Sequence, residues 1–292
     1  QLVRGPIIHG RALVVGAIRP ARPTLIREDL GLIRELVIMM AMSEILLTIN
    51  LFLDRWFATG LEAGSISSLH YAFTITNTVV VLFLTSLVTV MFPRMSTAIA
   101  DGDFDGCSRD IRANLTRAAH IVVPVAVMIT VASPEIVLVL FQRGEFDAAD
   151  AARTSGAMAM YALGLPALVL NGLVARVFHS LQLLRDKVWL SVQYLATNAL
   201  LNAALVGILQ VRGLALASTV AIVLHLFLSL WMLHHRKTGL TTGRFAVIIG
   251  ESFALGVAAY VIYWLLPVDE FAARVGVGNM WTSLMVGIVK GG

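Results

Sequence analysis

Eight long apolar runs organise this chain, at about 35–53, 71–92, 119–141, 155–178, 188–209, 213–233, 245–267 and 275–289. Polar and charged residues gather between the runs instead of alternating within them. A helix crosses a bilayer with about 20 apolar residues, and the first seven runs come close to or exceed that length. The eighth, VGVGNMWTSLMVGIV, is short and contains glycine. None shows the period-two alternation of a barrel strand, so the pattern predicts helices that satisfy their own backbone groups in lipid.

Composition agrees with the pattern. Of 292 residues, 58% are hydrophobic and 14% charged, against about 25% charged in soluble domains. That much apolar side chain exceeds what a soluble protein of this length can bury. An ordinary soluble enzyme, a disordered tail and a disulfide-rich secreted module are excluded. The fold class is therefore an all-α polytopic membrane protein of about eight transmembrane helices. The net charge of +4 points to no nucleic-acid partner, because the basic residues lie between apolar runs, where they set topology or meet lipid headgroups. With the N-terminus in the cytoplasm, sixteen Lys and Arg fall in inner loops. Five fall outside: Arg55, Arg143, Arg153, Arg212 and Arg274. The positive-inside bias selects this orientation, with both ends cytoplasmic.

Residues 1–34 read as a basic cytoplasmic lead, 35–240 as a six-helix bundle and 241–292 as an additional two-helix pair. Pro93 is expected to end the second run. Beyond it, Phe104, Ile111 and Leu115 recur at helical spacing, with Arg109, Asp110 and Arg112 between them, which reads as a short amphipathic helix over 105–118 at the inner interface. The single cysteine, Cys107, allows no internal disulfide. The chain starts with Gln1 and has no signal-peptide pattern, which reads as a fragment or a processed chain. Small residues recur every fourth position at Ala199, Ala203 and Gly207, at Gly213, Ala217 and Ala221, and at Gly250, Ala254 and Ala258. Such stripes let helix backbones approach closely.

Polar residues inside the runs are the candidate functional groups, since a charge at the bilayer centre costs roughly 2.5–3.5 kcal/mol on insertion scales. Glu44 and Asn50 lie in the first run. Glu44 either lines a polar cavity or packs as a hydrogen-bonding partner. Asp54 and Arg55 end the run, as an interfacial anchor pair or a gating element. In the second run Thr74, Asn77, Thr78, Thr85 and Thr89 share one helical side, facing a cavity or a packed polar seam. Arg176 either snorkels to headgroups or meets an anionic substrate group. Pro124, Pro134 and Pro166 interrupt the third and fourth runs, and Glu135 follows Pro134. Asn198 and Asn202 share a side of the fifth run. His225 shares a side of the sixth with Ser218 and Ser229 and reads as a satisfied interior histidine or as a proton or substrate contact in gating, and Glu251 as interfacial. No nucleotide fingerprint, zinc spacing or nucleophile–base pattern is present, so neither an enzyme nor a cofactor is indicated.

The stretch NLFLDRWFATGLEAGSISSLHYAFTITNTVVVLFLTSLVTVMFPRMS, residues 50–96, resembles the seventh and eighth spans of the MurJ/MviN family of lipid II flippases, within the multidrug/oligosaccharidyl-lipid/polysaccharide (MOP) exporter superfamily that also includes the MATE transporters. Its markers are Asn50, Asp54, Gly60-Leu61, Gly64-Ser65, Tyr71-Ala72 and Pro93. LFQRGEFDAADAART at 140–154 and RVFHSLQLLRDK at 176–187 are similar to later family segments. The resemblance implies spans seven to fourteen of a fourteen-span, inner-membrane transporter, with the first lobe missing. It implies movement of an undecaprenyl-diphosphate-linked sugar by alternating access, driven by membrane potential or an ion gradient. The implied partners are the lipid-linked sugar, membrane lipids and an N-terminal lobe. The family's cavity arginine falls on Thr74, and its usual aspartate and proline fall on Leu183 and Lys187. These departures suit an exopolysaccharide-unit flippase as the alternative substrate reading. A non-transporting scaffold or inactive fragment is the alternative of another class.

Overall fold

The computed structural model describes residues 27–101, 104–141 and 146–235. These form six helices: α1 (Arg27–Ala58), α2 (Ser65–Asp101), α3 (Phe104–Val131), α4 (Ser133–Phe141), α5 (Ala148–Ser180) and α6 (Leu184–His235). The seventh and eighth apolar runs, Glu251 and most of the basic lead lie outside the described residues. α1 starts at Arg27, so helix reaches eight residues ahead of the first apolar run.

Five helices among the described residues are long and apolar enough to cross a membrane. α6 holds two of the sequence's runs. At Gln210 its backbone leaves the helical region, with φ 51° and ψ −129°, and the chain reverses. The limbs on either side have roughly 26 and 25 residues, each sufficient to span at 1.5 Å per residue. Gly213 permits the reversal, since a Cβ there would lie 2.5 Å from the Leu205 carbonyl oxygen. Positive φ at a glutamine is strained, so this turn is maintained by the packing of the limbs. α5 ends with a 6→1 bond, Leu183 N donating to Phe178 O at 2.9 Å, around Gln182 at φ 56°, the backbone that glycine usually supplies at a helix C-terminus.

Three expectations need correction. The second run does not end at Pro93, because α2 continues to Asp101. A proline inside a helix removes one hydrogen bond and can bend the helix without ending it. The 105–118 segment is no separate interfacial helix. It is the first half of α3, and its apolar stripe, Ile111 and Leu115, is buried against Val174, Val177 and Phe178 of α5. Protein thus covers the stripe in place of headgroups. The 119–141 run divides at Ala132, with Pro134 in the first turn of α4, where its missing N–H costs nothing. Helix continues across Pro124 and Pro166.

α5 sits at the centre, packed on α2, α3, α4 and α6, while α1 packs on α6 and barely meets α2. Lipid tails are as apolar as leucine, so close fit and polar ties drive helix association. α5 supplies both. A Cβ at Gly164 would lie 2.9 Å from Thr219 Oγ1, and one at Gly172 would meet the Leu84 methyls. Thr219 Oγ1 donates to Met160 O at 2.7 Å, and Asn171 Nδ2 donates to Ile222 O at 3.0 Å. The Gly213–Ala217–Ala221 stripe is buried as expected. The Ala203–Gly207 end of the neighbouring stripe is exposed, with nothing near Gly207 among the described residues. Phe52, Trp56, Leu82, Trp189, Leu200, Ile208 and Phe227 cover the outside, an apolar exterior suited to lipid.

Candidate functional site

Two polar stripes run along α1. Ser43, Asn50 and Asp54 are spaced by seven and four residues, which returns them to one face, and all three are buried. Glu44, Thr48 and Arg55 lie about 100–140° around the helix from Ser43 and are exposed. Asp54 and Arg55 therefore separate. Adjacent residues on a helix point about 100° apart, so Asp54 turns into the bundle and Arg55 out of it. The expected anchor pair does not form.

Asp54 is the centre of a buried network between α1 and α6. Its Oδ1 accepts from Asn202 Nδ2 at 2.7 Å and Asn198 Nδ2 at 3.1 Å, and its Oδ2 accepts from Ser218 Oγ at 3.0 Å. Asn198 Nδ2 also donates to Asn50 Oδ1 at 3.0 Å, and Asn50 Nδ2 donates to the Tyr194 hydroxyl at 3.3 Å. Asn198 and Asn202 come from the first limb of α6 and Ser218 from the second, so the reversal at Gln210 assembles the site. His225 lies beside Tyr194 at the edge of the network. Its ring lies edge-on to Tyr194 with Nδ1 3.0 Å from Leu190 O.

No positive charge faces Asp54 in this network, and a buried carboxylate without one is costly. Asn198 Oδ1 and Asn202 Oδ1 are also buried without partners. Oxygen and nitrogen of an amide exchange places on a half-turn of its terminal bond. The half-turn would aim both amide oxygens at Asp54, giving an all-oxygen set with Asn50 Oδ1 and Ser218 Oγ. Such a set suits a hard cation or a proton, which would relieve its self-repulsion. Among the described residues no group of three or more His, Cys, Asp or Glu could hold a metal. A crevice of about 20 Å³, lined by Leu51, Asp54, Arg55, His70, Phe73 and Tyr161, reaches the carboxylate from between α1 and α2. It has room for about one water.

The polar side of α2 is open. Thr74, Asn77, Thr78, Thr85 and Thr89 are all exposed, while Leu69, Ala72 and Val80 on the other side are buried. Thr74, Thr78 and Thr89 donate to the carbonyls four residues earlier, at 2.7–2.8 Å. Their oxygens remain free to accept. At the far end of the bundle Arg176 is exposed. Lys187 lies within electrostatic reach of Glu44 and Arg176, and His179 within reach of Lys187 and Arg176. Sequence reasoning singled out Arg176 and Glu44 but missed His179 and Lys187 as their companions. The three-residue spacing of Arg176 and His179 was an available signal, while Lys187 is brought in by the turn at 181–183. Glu135 is exposed at the start of α4, away from both groups in sequence and element.

The family model "Lipid II flippase MurJ" matches residues 12–280. A probable lipid II flippase MurJ of Vibrio cholerae is 28% identical over 186 residues, covering 64% of this chain and 35% of that protein. One from Helicobacter pylori is 29% identical over 174 residues, covering 58% and 37%. These alignments span little more than a third of the relatives' length. Among solved structures, lipid II flippase MurJ in an inward closed conformation superposes with TM-score 0.67 at 21% identity, covering 86% of this chain and 53% of that one. An outward-facing MATE family transporter of the MOP superfamily gives 0.60 at 15% identity, covering 87% and 60%.

Proposed function

The chain belongs to the lipid II flippase MurJ family, and from that premise we propose that it is one lobe of a flippase for an undecaprenyl-diphosphate-linked sugar, the peptidoglycan precursor lipid II, in the bacterial inner membrane. The observation that carries this reading is the open polar side of α2. Five threonine and asparagine side chains face outward from a lobe whose own interior is already packed. Facing lipid, they would be unfavourable. Facing a second lobe, as in the longer relatives, they line a hydrated cavity.

The reading divides the substrate by chemistry. Threonine oxygens and Asn77 suit sugar hydroxyls. The diphosphate needs cations, and Arg176 and Lys187 supply them at the end that the charge bias assigns to the cytoplasm. The lipid tail stays in the bilayer, so only the headgroup crosses, and rocking of two lobes moves the opening from one side to the other. No bond is made or broken in such a step. Asp54, Asn50, Asn198, Asn202 and Ser218 would hold the coupling cation or proton, and the narrow crevice beside Arg55 and His70 would admit it. Charge exchanged at Asp54 alters the grip between α1 and both limbs of α6, which ties an ion gradient to helix position.

Reconstitution tests this. With labelled lipid II in vesicles, the 292-residue chain supplied with the complementary lobe of a relative is expected to flip saturably, and the chain alone is not. Arg176→Ala should weaken headgroup binding about tenfold, the scale of one charge-assisted contact, and Arg176→Lys should recover part of it. Flipping by the isolated chain would overturn the two-lobe reading. Unchanged binding in Arg176→Ala would make Arg176 a snorkelling anchor and remove the headgroup contact.

A further inference from the structure

We propose that the Gln210 end of the bundle carries a binding site for the monoanionic phosphodiester headgroup of a membrane phospholipid, held by Arg212 and Arg153 and separate from the cavity that faces the second lobe. The reversal of α6 returns the chain over the first turns of α5. There the Arg212 side chain lies across Gly156, so closely that any Cβ at Gly156 would overlap it. Arg153 is three residues earlier on the same face of α5. Between them lies a cavity of about 320 Å³, lined by both arginines together with Gln210, Ile208 and Leu209. The strained turn, the glycine bed and the paired guanidiniums converge on one opening.

The charges around it select the ligand. Arg153 NH1 pairs with Glu62 at 3.0 Å and NH2 with Asp150 at 2.7 Å. Each of its terminal nitrogens holds one carboxylate, and its Nε is buried without a partner. Arg212 is exposed and has no acidic partner among the described residues. Among the described residues, the Arg212 charge at this opening is thus the one that no carboxylate pairs with. Asp150, Glu62 and Asp147 surround Arg153 and would repel a second negative charge. A phosphodiester, with a single charge, fits that balance, whereas a phosphate monoester or a diphosphate does not. The walls complete the match. Ile208 is 79% exposed and Leu209 40%, so an apolar surface leads from the guanidiniums along the outside of α6, where an acyl chain would lie. A soluble phosphodiester has no use for those walls.

The test uses the 292-residue chain purified in detergent, with lipid retention read by native mass spectrometry. The parent is offered equal phosphatidylglycerol and phosphatidylcholine, then phosphatidylglycerol against phosphatidic acid. Phosphatidylglycerol is expected to be retained over each competitor by at least about fivefold, as one unshared charge contact allows. Arg212→Ala should abolish the preference, and Arg212→Lys should keep part of it. Gly156→Ala should reduce it while leaving every charge in place, because it displaces the Arg212 side chain, and its helical circular dichroism must match the parent. Arg212→Gln substitutes for the alanine variant if that does not fold. An undiminished preference in the Arg212 variants overturns the site. Equal or better retention of phosphatidic acid overturns the single-charge match. Displacement of the lipid by millimolar glycerophosphoglycerol, the headgroup without its chains, overturns the lipid assignment. None of these readouts involves Arg176 or flipping, so the outcome is independent of the transport reading.

Discussion

Asp54 and Glu44 are both carboxylates in one apolar run, ten residues apart, yet they have opposite surroundings. Asp54 is 4% exposed and holds three hydrogen bonds, whereas Glu44 is exposed. Removing a buried group's partners costs its full desolvation, about 1–3 kcal/mol for each group left unpaired. Asp54→Ala strands Asn202, Asn198 and Ser218 together, so it should destabilise the chain by roughly 3–5 kcal/mol. Asp54→Asn keeps the shape and most bonds and should cost about 1 kcal/mol. In the reconstituted flippase it should also abolish dependence on the ion gradient. Glu44→Gln should leave stability within about 0.5 kcal/mol. Thermal unfolding in detergent ranks the three variants, and an Asp54→Ala midpoint equal to that of Glu44→Gln would refute the network's structural role. The sequence showed both carboxylates. It did not show which stripe meets Asn198 and Asn202, because helical spacing sorts residues into faces without saying what each face touches.

At the scale of the element, the two limbs of α6 carry similar small-residue stripes with different consequences. Gly213 sits 2.5 Å, measured from its ideal Cβ, from a backbone carbonyl that has no freedom to move, while Gly207 has open space around it. Gly213→Ala should therefore destabilise by about 2–3 kcal/mol through backbone displacement, and Gly207→Ala should be neutral or stabilising by up to about 1 kcal/mol from helix propensity. Paired melting curves check this directly, and equal effects would show that the reversal at Gln210 is looser than its geometry indicates. The reversal itself was legible in the sequence as a break between two apolar runs at 210–212. The fate of 105–118 was not. An amphipathic stripe looks the same whether headgroups or a neighbouring helix covers it, and here α5 covers Ile111 and Leu115.

For the whole molecule, the charge distribution makes a topological prediction. The end that joins α1 to α2 and α4 to α5 should face outward, and the end that joins α2 to α3 and α5 to α6 should face the cytoplasm. An impermeant maleimide applied to sealed cells should label Ala149→Cys, at an exposed position in the first turn of α5, and should leave Cys107 unmodified. Labelling of Cys107 before permeabilisation would reverse the orientation. It would also exchange the sides assigned to Arg176 and Arg212.

The sequence by itself determined that the chain lives in a membrane, roughly where the helical runs among the described residues lie, which side of α2 is polar and which family it resembles. Each of these is written in one dimension, in run length, charge between runs, spacing along one helix, or a contiguous motif. Only the tertiary structure decided that Asp54 belongs inside with Asn50, Asn198, Asn202 and Ser218, that His179 and Lys187 join Arg176, and that Arg212 lies on Gly156 beside Arg153. In water, burial follows polarity and a face can be assigned from its residues. In a bilayer the apolar faces need no burial, so polar and small side chains choose the contacts. Their partners lie up to 164 residues away, as Ser218 does from Asp54, and no local pattern specifies them.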